Sequence, residues 1–198
     1  MRSLLLMIGA ILILACGTEE EAPVQETLTE ETPAMEETDA TAGEELELYV
    51  IQDGAAGLFG MDITPEEVEE IALLYGNVTA EEIDLMIEGS PYPAIELTFI
   101  NSGTVLLELG EYDSTVFRIQ INSELFKTAE GIGIGSTYDV LEANYLFDGI
   151  AWGDGGEPLV IVEEAGLSFF IEPGDWWQMG DVEGEIPGDT EVTAIILW

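Results

Sequence analysis

The sequence contains no histidine, a single cysteine and only 3 lysine or arginine residues in a chain of 198. Without histidine there is no imidazole base, which excludes Ser-His-Asp and Cys-His catalytic sets and any histidine metal ligand. One cysteine allows neither an internal disulfide bond nor a cysteine-based metal cluster. Against the 3 bases stand 42 acidic residues, giving a formal net charge of -39. Because nucleic-acid affinity depends mainly on basic contacts to phosphate, the sequence predicts no nucleic-acid partner.

The acidic residues are spread along the whole chain. Such a composition is typical of halophilic proteins, whose like charges are screened at high ionic strength. The second interpretation is a binding surface for a cationic partner, namely a metal ion, a polyamine or a basic protein. Despite the charge, residues 46–198 are rich in Ile, Leu, Val, Phe and Trp, so this part is predicted to fold around a core.

The N-terminal segment has the form of a secretory signal peptide. Arg2 precedes the apolar run Leu4 to Ala15, which is shorter than the roughly 20 residues that a membrane-spanning helix needs. The sequence Ile13-Leu14-Ala15-Cys16-Gly17 resembles a bacterial lipobox. This resemblance implies cleavage before Cys16 and attachment of a diacylglycerol to its sulfur, with export to the outer membrane if the host is Gram-negative. The alternative is an ordinary signal peptide followed by a coincidental cysteine.

Residues 16–45 are rich in Glu, Thr, Ala and Pro and carry only scattered single apolar residues. No apolar face is present to offset the chain entropy lost on folding, so the sequence predicts a disordered acidic linker. The predicted organisation is therefore a signal peptide over 1–15, a lipidated N-terminus with this linker over 16–45, and a folded domain over 46–198.

The first half of the folded domain predicts a strand, a helix and a β-hairpin in that order. A capping box spans Thr64–Glu67 with proline at the first helical position, and Gly76 suits the helix end. The segment that follows predicts a strand, although a second capping box at Thr79 and Glu82 offers a short helix instead. The hairpin turn is predicted at Asn101-Ser102-Gly103. The apolar face of the helix consists of Val68, Ile71, Ala72 and Tyr75.

The second half repeats this order. After a strand comes GIGIGST, in which Ser136 or Thr137 is predicted to cap a helix that buries Val140, Leu141 and Tyr145, and further strands follow. Aligning the segments that start at Gly57 and Gly131 leaves two interpretations open: an internal duplication, or chance recurrence of a common motif. The sequence therefore predicts an α+β, β-rich fold of two tandem helix-on-antiparallel-sheet units, 46–110 and 111–198.

The stretch FRIQINSELFKTAEGIGIGSTYDVLEANY is similar to a recurring segment of uncharacterised bacterial envelope proteins. In architecture, a glycine turn, a capped helix and an antiparallel sheet in tandem are similar to the β-lactamase-inhibitor-protein fold and to small outer-membrane assembly lipoproteins. Proteins of those two groups bind other proteins and do not catalyse. The resemblance therefore implies an interaction module.

Two glycine-rich loops combine acidic residues with tryptophan, as sugar stacking or Ca²⁺ coordination through oxygen requires. Neither loop has the spacing of an EF-hand. The alternative is that both are acidic surface turns whose tryptophans cover the edges of the core. The first loop contains Asp148, Trp152, Asp154 and Glu157, and the second contains Asp175, Trp176, Trp177 and Asp181.

Three other features of the sequence are weaker evidence for a function. GIGIGST has Gly135 where a phosphate loop needs lysine, so its glycines predict a strand-to-helix turn. Alternation around Arg118 points this side chain to the polar face of a strand, where it is predicted to form a surface ion pair. Close carboxylate pairs are expected by chance in so acidic a chain, which weakens any inference of a glycosidase.

The sequence thus predicts a lipid-anchored, non-enzymatic protein of the cell envelope. Its partners are expected to be the membrane, through the N-terminal lipid, and an envelope protein or component bound by the folded domain. The alternatives are a Ca²⁺- or glycan-binding domain that uses the two tryptophan loops, and a carboxylate-dependent glycosidase. No cofactor is predicted, apart from the Ca²⁺ of the first alternative.

Overall fold

The computed structural model describes residues 48–87, 89–112, 114–153, 155–178, 181–182 and 185–198. The predicted signal peptide, Cys16, the linker and Asp154 lie outside these ranges. The helices of the described part are α1 (Pro65–Tyr75) and α2 (Tyr138–Asn144), with a 3-10 turn at Glu163–Ala165. Neither helix is long and apolar enough to span a membrane.

The strands of the described part are short at the N-terminus and longer thereafter. In chain order they are β1 (Val50–Gln52), β2 (Ala55–Ala56), β3 (Phe59–Gly60), β4 (Val78–Ile87), β5 (Ser90–Phe99), β6 (Gly103–Leu109), β7 (Val116–Ser123), β8 (Lys127–Thr128), β9 (Gly149–Trp152), β10 (Pro158–Val162), β11 (Leu167–Ile171), β12 (Trp177–Gln178), β13 (Asp181–Val182) and β14 (Val192–Leu197).

Eight of these strands form one antiparallel sheet, ordered β4-β5-β6-β7-β14-β11-β10-β9, which we call the main sheet. Its first four strands follow α1 along the chain, and its other four follow α2. The two sets meet where β7 pairs with β14, with Ile121 opposite Ile195. The fold is therefore α+β and β-rich, with two tandem units that each lay a helix on antiparallel strands.

A second, smaller sheet has the order β3-β2-β1-β8, and β12 pairs with β13. Within the small sheet β1 lies antiparallel to β2 but parallel to β8, with Ile51 opposite Thr128. The β1–β8 pairing links the chain just before α1 to the chain just before α2. The sequence did not predict this pairing, because two-residue strands carry no periodicity.

Helix α1 begins and ends as its sequence predicts. Thr64 is the N-cap, and both halves of its capping box with Glu67 are formed. Gly76 closes the helix in the left-handed conformation, with φ 68°. The predicted apolar face is confirmed, since Val68, Ala72 and Tyr75 are buried and Ile71 packs against the core.

The side chain of Tyr75 fastens the chain before α1 to the helix. Its hydroxyl donates to the Leu48 carbonyl at 2.7 Å and accepts from the Leu58 N–H at 3.0 Å. Burial raises the pKa of Tyr75 to about 12. Gly57 makes this arrangement possible: it has φ 61°, and a methyl group there would lie 2.3 Å from the Tyr75 hydroxyl oxygen and 2.0 Å from the Leu48 carbonyl oxygen.

Thr137, one of the two predicted capping residues, is the N-cap of helix α2, although its side chain forms no capping hydrogen bond. The neighbouring Ser136 hydroxyl instead accepts from the Gly133 N–H at 3.0 Å and so closes the glycine turn. Leu141 is fully buried, and Tyr145 is half-buried with its ring 5.6 Å from that of Phe169. The predicted burial of Val140 is wrong, because so short a helix fully buries one position only; Val140 is 43% exposed.

The segment after α1 is a strand, as predicted, and not a short helix. β4 pairs along all ten of its residues with β5, which continues through a turn at Asn101 into β6. In the described part of the chain β4 pairs on one side only and therefore forms an edge of the main sheet. Its exposed side chains include Glu81, Glu82 and Asp84.

The core lies against one face of the main sheet. Both helices and the small sheet cover that face: Tyr75 of α1 contacts Phe99 of β5, and Leu141 of α2 belongs to the same cluster. The other face, which we call the open face, carries the alternate residues of the same strands. Core-facing residues of the main sheet include Leu97, Leu107, Ile119, Val160, Phe169 and Ile195.

Candidate functional site: the open face of the main sheet

Alternation along β7 determines which side chains reach the open face. Ile119 and Ile121 are buried in the core, so Arg118, Gln120 and Asn122 point the opposite way. Cross-strand register extends this face on both sides: Gln120 lies opposite Leu106 and Ile196. The open face is thus a continuous surface whose positions are set by backbone pairing.

An ion pair lies on this face near one end of β6 and β7. The Arg118 guanidinium donates through Nε to Glu108 Oε1 at 2.6 Å, across the directly paired strands β6 and β7. The predicted pairing of Arg118 with a carboxylate is confirmed. The pair is less exposed than predicted, since Glu108 is 4% exposed. The register between β6 and β7 brings the two residues together. No sequence spacing predicted Glu108 as the partner of Arg118.

Apolar side chains lie on the part of the open face formed by β14, β11 and β10. Phe170 lies opposite Ala194 and Leu159, and Ile161 lies opposite Ser168. The indole N–H of Trp198 donates to the Ser168 hydroxyl at 3.0 Å, which lays a 53% exposed ring across the strands. None of these apolar residues belongs to the core cluster, although Ile196 is only 5% exposed and is therefore buried among its neighbours. We call this set the apolar belt: Leu159, Ile161, Phe170, Ile196 and Trp198.

The turn between β9 and β10 folds over one end of the belt. A methyl group on Gly153 would lie 2.0 Å from Cε1 of Phe170, so the backbone approaches this ring more closely than any other residue type allows. From the other side, the indole N–H of Trp177 donates to the Gly156 carbonyl at 2.8 Å. This hydrogen bond brings together the two tryptophan-containing loops that the sequence singled out.

Beneath this turn the open face contains a cavity of about 400 Å³, which we call the cup. The Gln120 amide donates to the Asn122 side-chain oxygen at 3.2 Å on one side of the cup, and Phe170 lies on another. Glu157 is an exposed residue. The cup thus combines an aromatic ring, two amides and one carboxylate. Its lining includes Gln120, Asn122, Gly155, Glu157, Phe170 and Ala194.

The predicted ligand residues of the first loop lie in different surroundings. Asp148 accepts a hydrogen bond from the Glu163 N–H at 2.7 Å and so holds the start of the 3-10 turn. Trp152 is 58% exposed in β9, opposite Pro158 of β10. Glu157 is the described acid of this loop that lines the cup.

The second loop borders another cavity, of about 640 Å³, which Asp175 lines together with Glu172 and Asp189. Trp176 also borders it but is 6% exposed and belongs to the core cluster. Trp177 is half-buried with its ring 6.0 Å from that of Trp176. Asp181 lies in β13 opposite Gln178. The loops meet at Trp177, but Glu157 and Asp175 line separate cavities.

Within the described ranges, no three or more Asp, Glu, Cys or His side chains are grouped so that they could hold a metal ion. Ca²⁺ or glycan binding by the two loops stays a prediction.

Both bases of the described ranges are already engaged. Arg118 pairs with Glu108, and the Lys127 ammonium donates to the Ile134 carbonyl at 2.9 Å. The surface charge of this part of the molecule therefore comes from carboxylates. A partner that approaches the open face meets an apolar belt and a cup within a strongly negative field.

Gln120, Asn122, Phe170 and Trp198 were not among the predicted site residues. A signal for the first two was present, since Arg118, Gln120 and Asn122 alternate with buried isoleucines and mark a strand with one polar face. No such signal existed for Phe170, because adjacent phenylalanines do not reveal which of them faces the core. The approach of Gly153 to Phe170 depends on tertiary structure alone.

Comparisons with known proteins place few limits on function. No family model matches the chain, and no curated protein matches it. Among solved structures, the uncharacterized protein yfeY from Escherichia coli is similar over 76% of this chain and 96% of its own, with 16% sequence identity and a TM-score of 0.48.

Proposed function

We propose that this chain is a non-catalytic binding module of the cell envelope, which holds a partner protein on its open face and is attached to the membrane by a lipid on Cys16. The observation that carries the proposal is the apolar belt. It places a 53% exposed tryptophan and a partly exposed phenylalanine on the same face of the main sheet, opposite to the face that the helices and the small sheet cover.

Exposed apolar groups gathered on one surface are typical of protein-binding sites, whereas single exposed apolar residues are not informative. Large aromatic side chains at the centre of an interface supply a large share of binding energy. Here the aromatic groups are held by the main sheet and by the hydrogen bond from Trp198 to Ser168. A surface of this kind binds without paying to order its own side chains, which favours affinity.

The membrane attachment is supported by the lipobox resemblance at residues 13–17 and by the acidic segment that follows it. An anchored module of this kind would meet partners in the envelope rather than nucleic acid or cytoplasmic proteins. The net charge of -39 agrees with this exclusion of nucleic acid.

Site-specific photo-crosslinking tests the open face as the binding surface. A p-benzoylphenylalanine replaces Leu159 in the apolar belt in one variant, and Leu146 in the matched control. Leu146 is 84% exposed and lies outside the main sheet, just after α2. The proteins are irradiated in the cells that make them, and adducts are identified by mass.

We expect one discrete adduct from position 159 that position 146 does not give. The adduct should disappear when Trp198→Ala is added, because that change removes the most exposed ring of the belt. No adduct at position 159, or the same adducts from both positions, would contradict a binding role for the open face.

A further inference from the structure

Resting on the proposed function, we propose that the cup receives an arginine or lysine side chain of the partner protein. Its aliphatic stem lies along Phe170, and its cationic head reaches the carboxylate of Glu157. The apolar belt beside the cup takes the apolar residues that flank this basic side chain.

Charge complementarity is the first argument. The chain carries a net charge of -39, and Arg118 and Lys127, the bases of the described ranges, are committed to Glu108 and to the Ile134 carbonyl. No cation in the described ranges is left over to satisfy Glu157, which is exposed and lines the cup. The field of the surrounding carboxylates speeds the approach of a basic partner and repels an acidic one.

The lining of the cup is the second argument. A guanidinium or ammonium group has only donors, and it binds to carboxylate and amide oxygens and to the face of an aromatic ring. Glu157, the amides of Gln120 and Asn122, and the ring of Phe170 offer these three kinds of partner in one cavity. A single lining carboxylate is too few oxygen ligands for Ca²⁺, which takes 6–8.

The neighbourhood of the cup is the third argument. Phe170 belongs both to the cup and to the apolar belt, and Leu159 lies directly opposite it on β10. A ligand that fills the cup is therefore in contact with apolar surface on its flank. A polypeptide carrying a basic residue beside apolar ones satisfies both surfaces at once, whereas a free polyamine or metal ion leaves the belt in water.

The probes are hexa-arginine and its hexa-citrulline counterpart, which has nearly the same shape but no charge. Each is titrated into the ¹⁵N-labelled full-length protein while NMR follows the side-chain amides of Gln120 and Asn122 and the indole of Trp198. Hexa-arginine should shift these three signals, and hexa-citrulline should not. Added salt should weaken the binding, as it does for any charge-assisted contact.

Two variants test the site, and a third is the control. Glu157→Gln and Phe170→Leu should each weaken binding of hexa-arginine by about ten-fold, since each removes one partner of the cation. Glu164→Gln makes the same change of charge in the 3-10 turn, at the opposite end of β10 and outside the cup lining, and should alter affinity by less than about two-fold. Unchanged melting temperatures verify that all three variants are folded.

Three results would overturn the proposal. In the first, Glu164→Gln weakens binding as much as Glu157→Gln, which means that the peptide binds the acidic surface at large. In the second, hexa-citrulline binds as tightly as hexa-arginine. In the third, chitohexaose shifts the cup signals and hexa-arginine does not, which assigns the cup to a glycan. If one of these results is found but position 159 still gives a discrete adduct, only the proposal about the cup is wrong and the open face keeps its binding role. If position 159 gives no adduct, the binding role of the open face is wrong as well.

Discussion

Arg118 Nε lies 2.6 Å from Glu108 Oε1, and the carboxylate it meets is almost completely buried although it belongs to the uncovered side of the sheet. The neighbouring open-face side chains shield Glu108 from water, while the guanidinium stays partly in contact with it. Arg118 is therefore the main compensation for a charge that has lost most of its hydration.

Arg118→Met should destabilise the protein by roughly 1–3 kcal/mol, because it leaves the Glu108 carboxylate without this partner. The double change Arg118→Met with Glu108→Leu should recover most of that loss, since apolar side chains of similar size can replace a shielded ion pair. Urea unfolding followed by tryptophan fluorescence measures both. A double variant no more stable than the single one would show that the burial of Glu108 is not what the arginine compensates.

Tyr75→Phe should lower the free energy of unfolding by about 1–3 kcal/mol, because it leaves the Leu48 carbonyl and the Leu58 N–H without their common partner. Its effect also depends on pH. Burial raises the pKa of Tyr75 from 10.0 to about 12, so above pH 10 the unfolded chain releases a proton that the native protein keeps. The contribution to stability is complete below pH 10 and is lost as the pH rises toward 12.

Thermal unfolding between pH 9 and 12 tests this dependence. Burial also raises the pKa of Tyr145 to about 12, so Tyr75→Phe should flatten the decline of stability with pH without abolishing it. Tyr112→Phe is the control, since Tyr112 is 95% exposed and its removal should leave the decline unchanged. An equal slope in wild type and Tyr75→Phe would contradict the prediction.

Gly57→Ala and Gly76→Ala form a matched pair, because both glycines are left-handed, with φ 61° and 68°. At Gly76 a methyl group meets nothing within 4 Å, so backbone strain alone should destabilise by about 1–2 kcal/mol. At Gly57 the methyl group collides with the Leu48 carbonyl and the Tyr75 hydroxyl, which should add roughly 1–3 kcal/mol. Urea unfolding measures the loss of stability in each variant. Equal losses would mean that the chain before α1 can shift to accommodate the methyl group at position 57.

Leu141→Ala should cost about 2–5 kcal/mol, because Leu141 is the fully buried residue of α2 and the methyl groups removed leave a cavity. Val140→Ala in the same helix is the control and should change stability by less than about 1 kcal/mol, since Val140 is 43% exposed and lies outside the core cluster. Urea midpoints of the two variants give the comparison. Similar midpoints would indicate that α2 is loosely packed on the sheet.

Cys16→Ser should release the protein from the membrane fraction, because serine has no sulfur to accept the diacylglycerol that the lipobox resemblance implies. Sedimentation of washed membranes, followed by immunodetection, measures the bound fraction. Gly17→Ala alters the neighbouring position and keeps the cysteine, so its product should stay with the membranes. A Cys16→Ser protein that still sediments fully would contradict lipid anchoring.

The sequence predicted those elements whose signals are local. The capping box at Thr64, the apolar face that includes Tyr75, the turn at Asn101 and the class of fold all follow from short-range patterns. For the segment after α1, local signals were ambiguous: the sequence predicted a strand, but a capping box also allowed a short helix. Pairing with β5 in the main sheet, and not a local signal, makes this segment a strand. Val140 was mispredicted because a period alone does not say how many turns of a helix reach the core.

The long-range features could not be predicted from the sequence, because they depend on which strands become neighbours in the sheet. The pairing of β7 with β14 brings Gln120 beside Ile196, and these residues are 76 positions apart in the numbering of the chain. The cup needs that pairing, the bend of the β9–β10 turn over Phe170, and the hydrogen bond from Trp177 to Gly156. None of the three has a local sequence pattern, which is why the acidic loops were noticed and the cavity beside them was not.

The position of β4 at an edge of the main sheet affects how copies of this protein associate with one another. Within the described part of the chain this ten-residue strand pairs on one side only, and such an edge is a template on which another strand can add. Glu81, Glu82 and Asp84 stand along that edge, so a second copy arriving there places carboxylate against carboxylate. We therefore expect the acidity of this edge to oppose edge-to-edge pairing between copies of the chain.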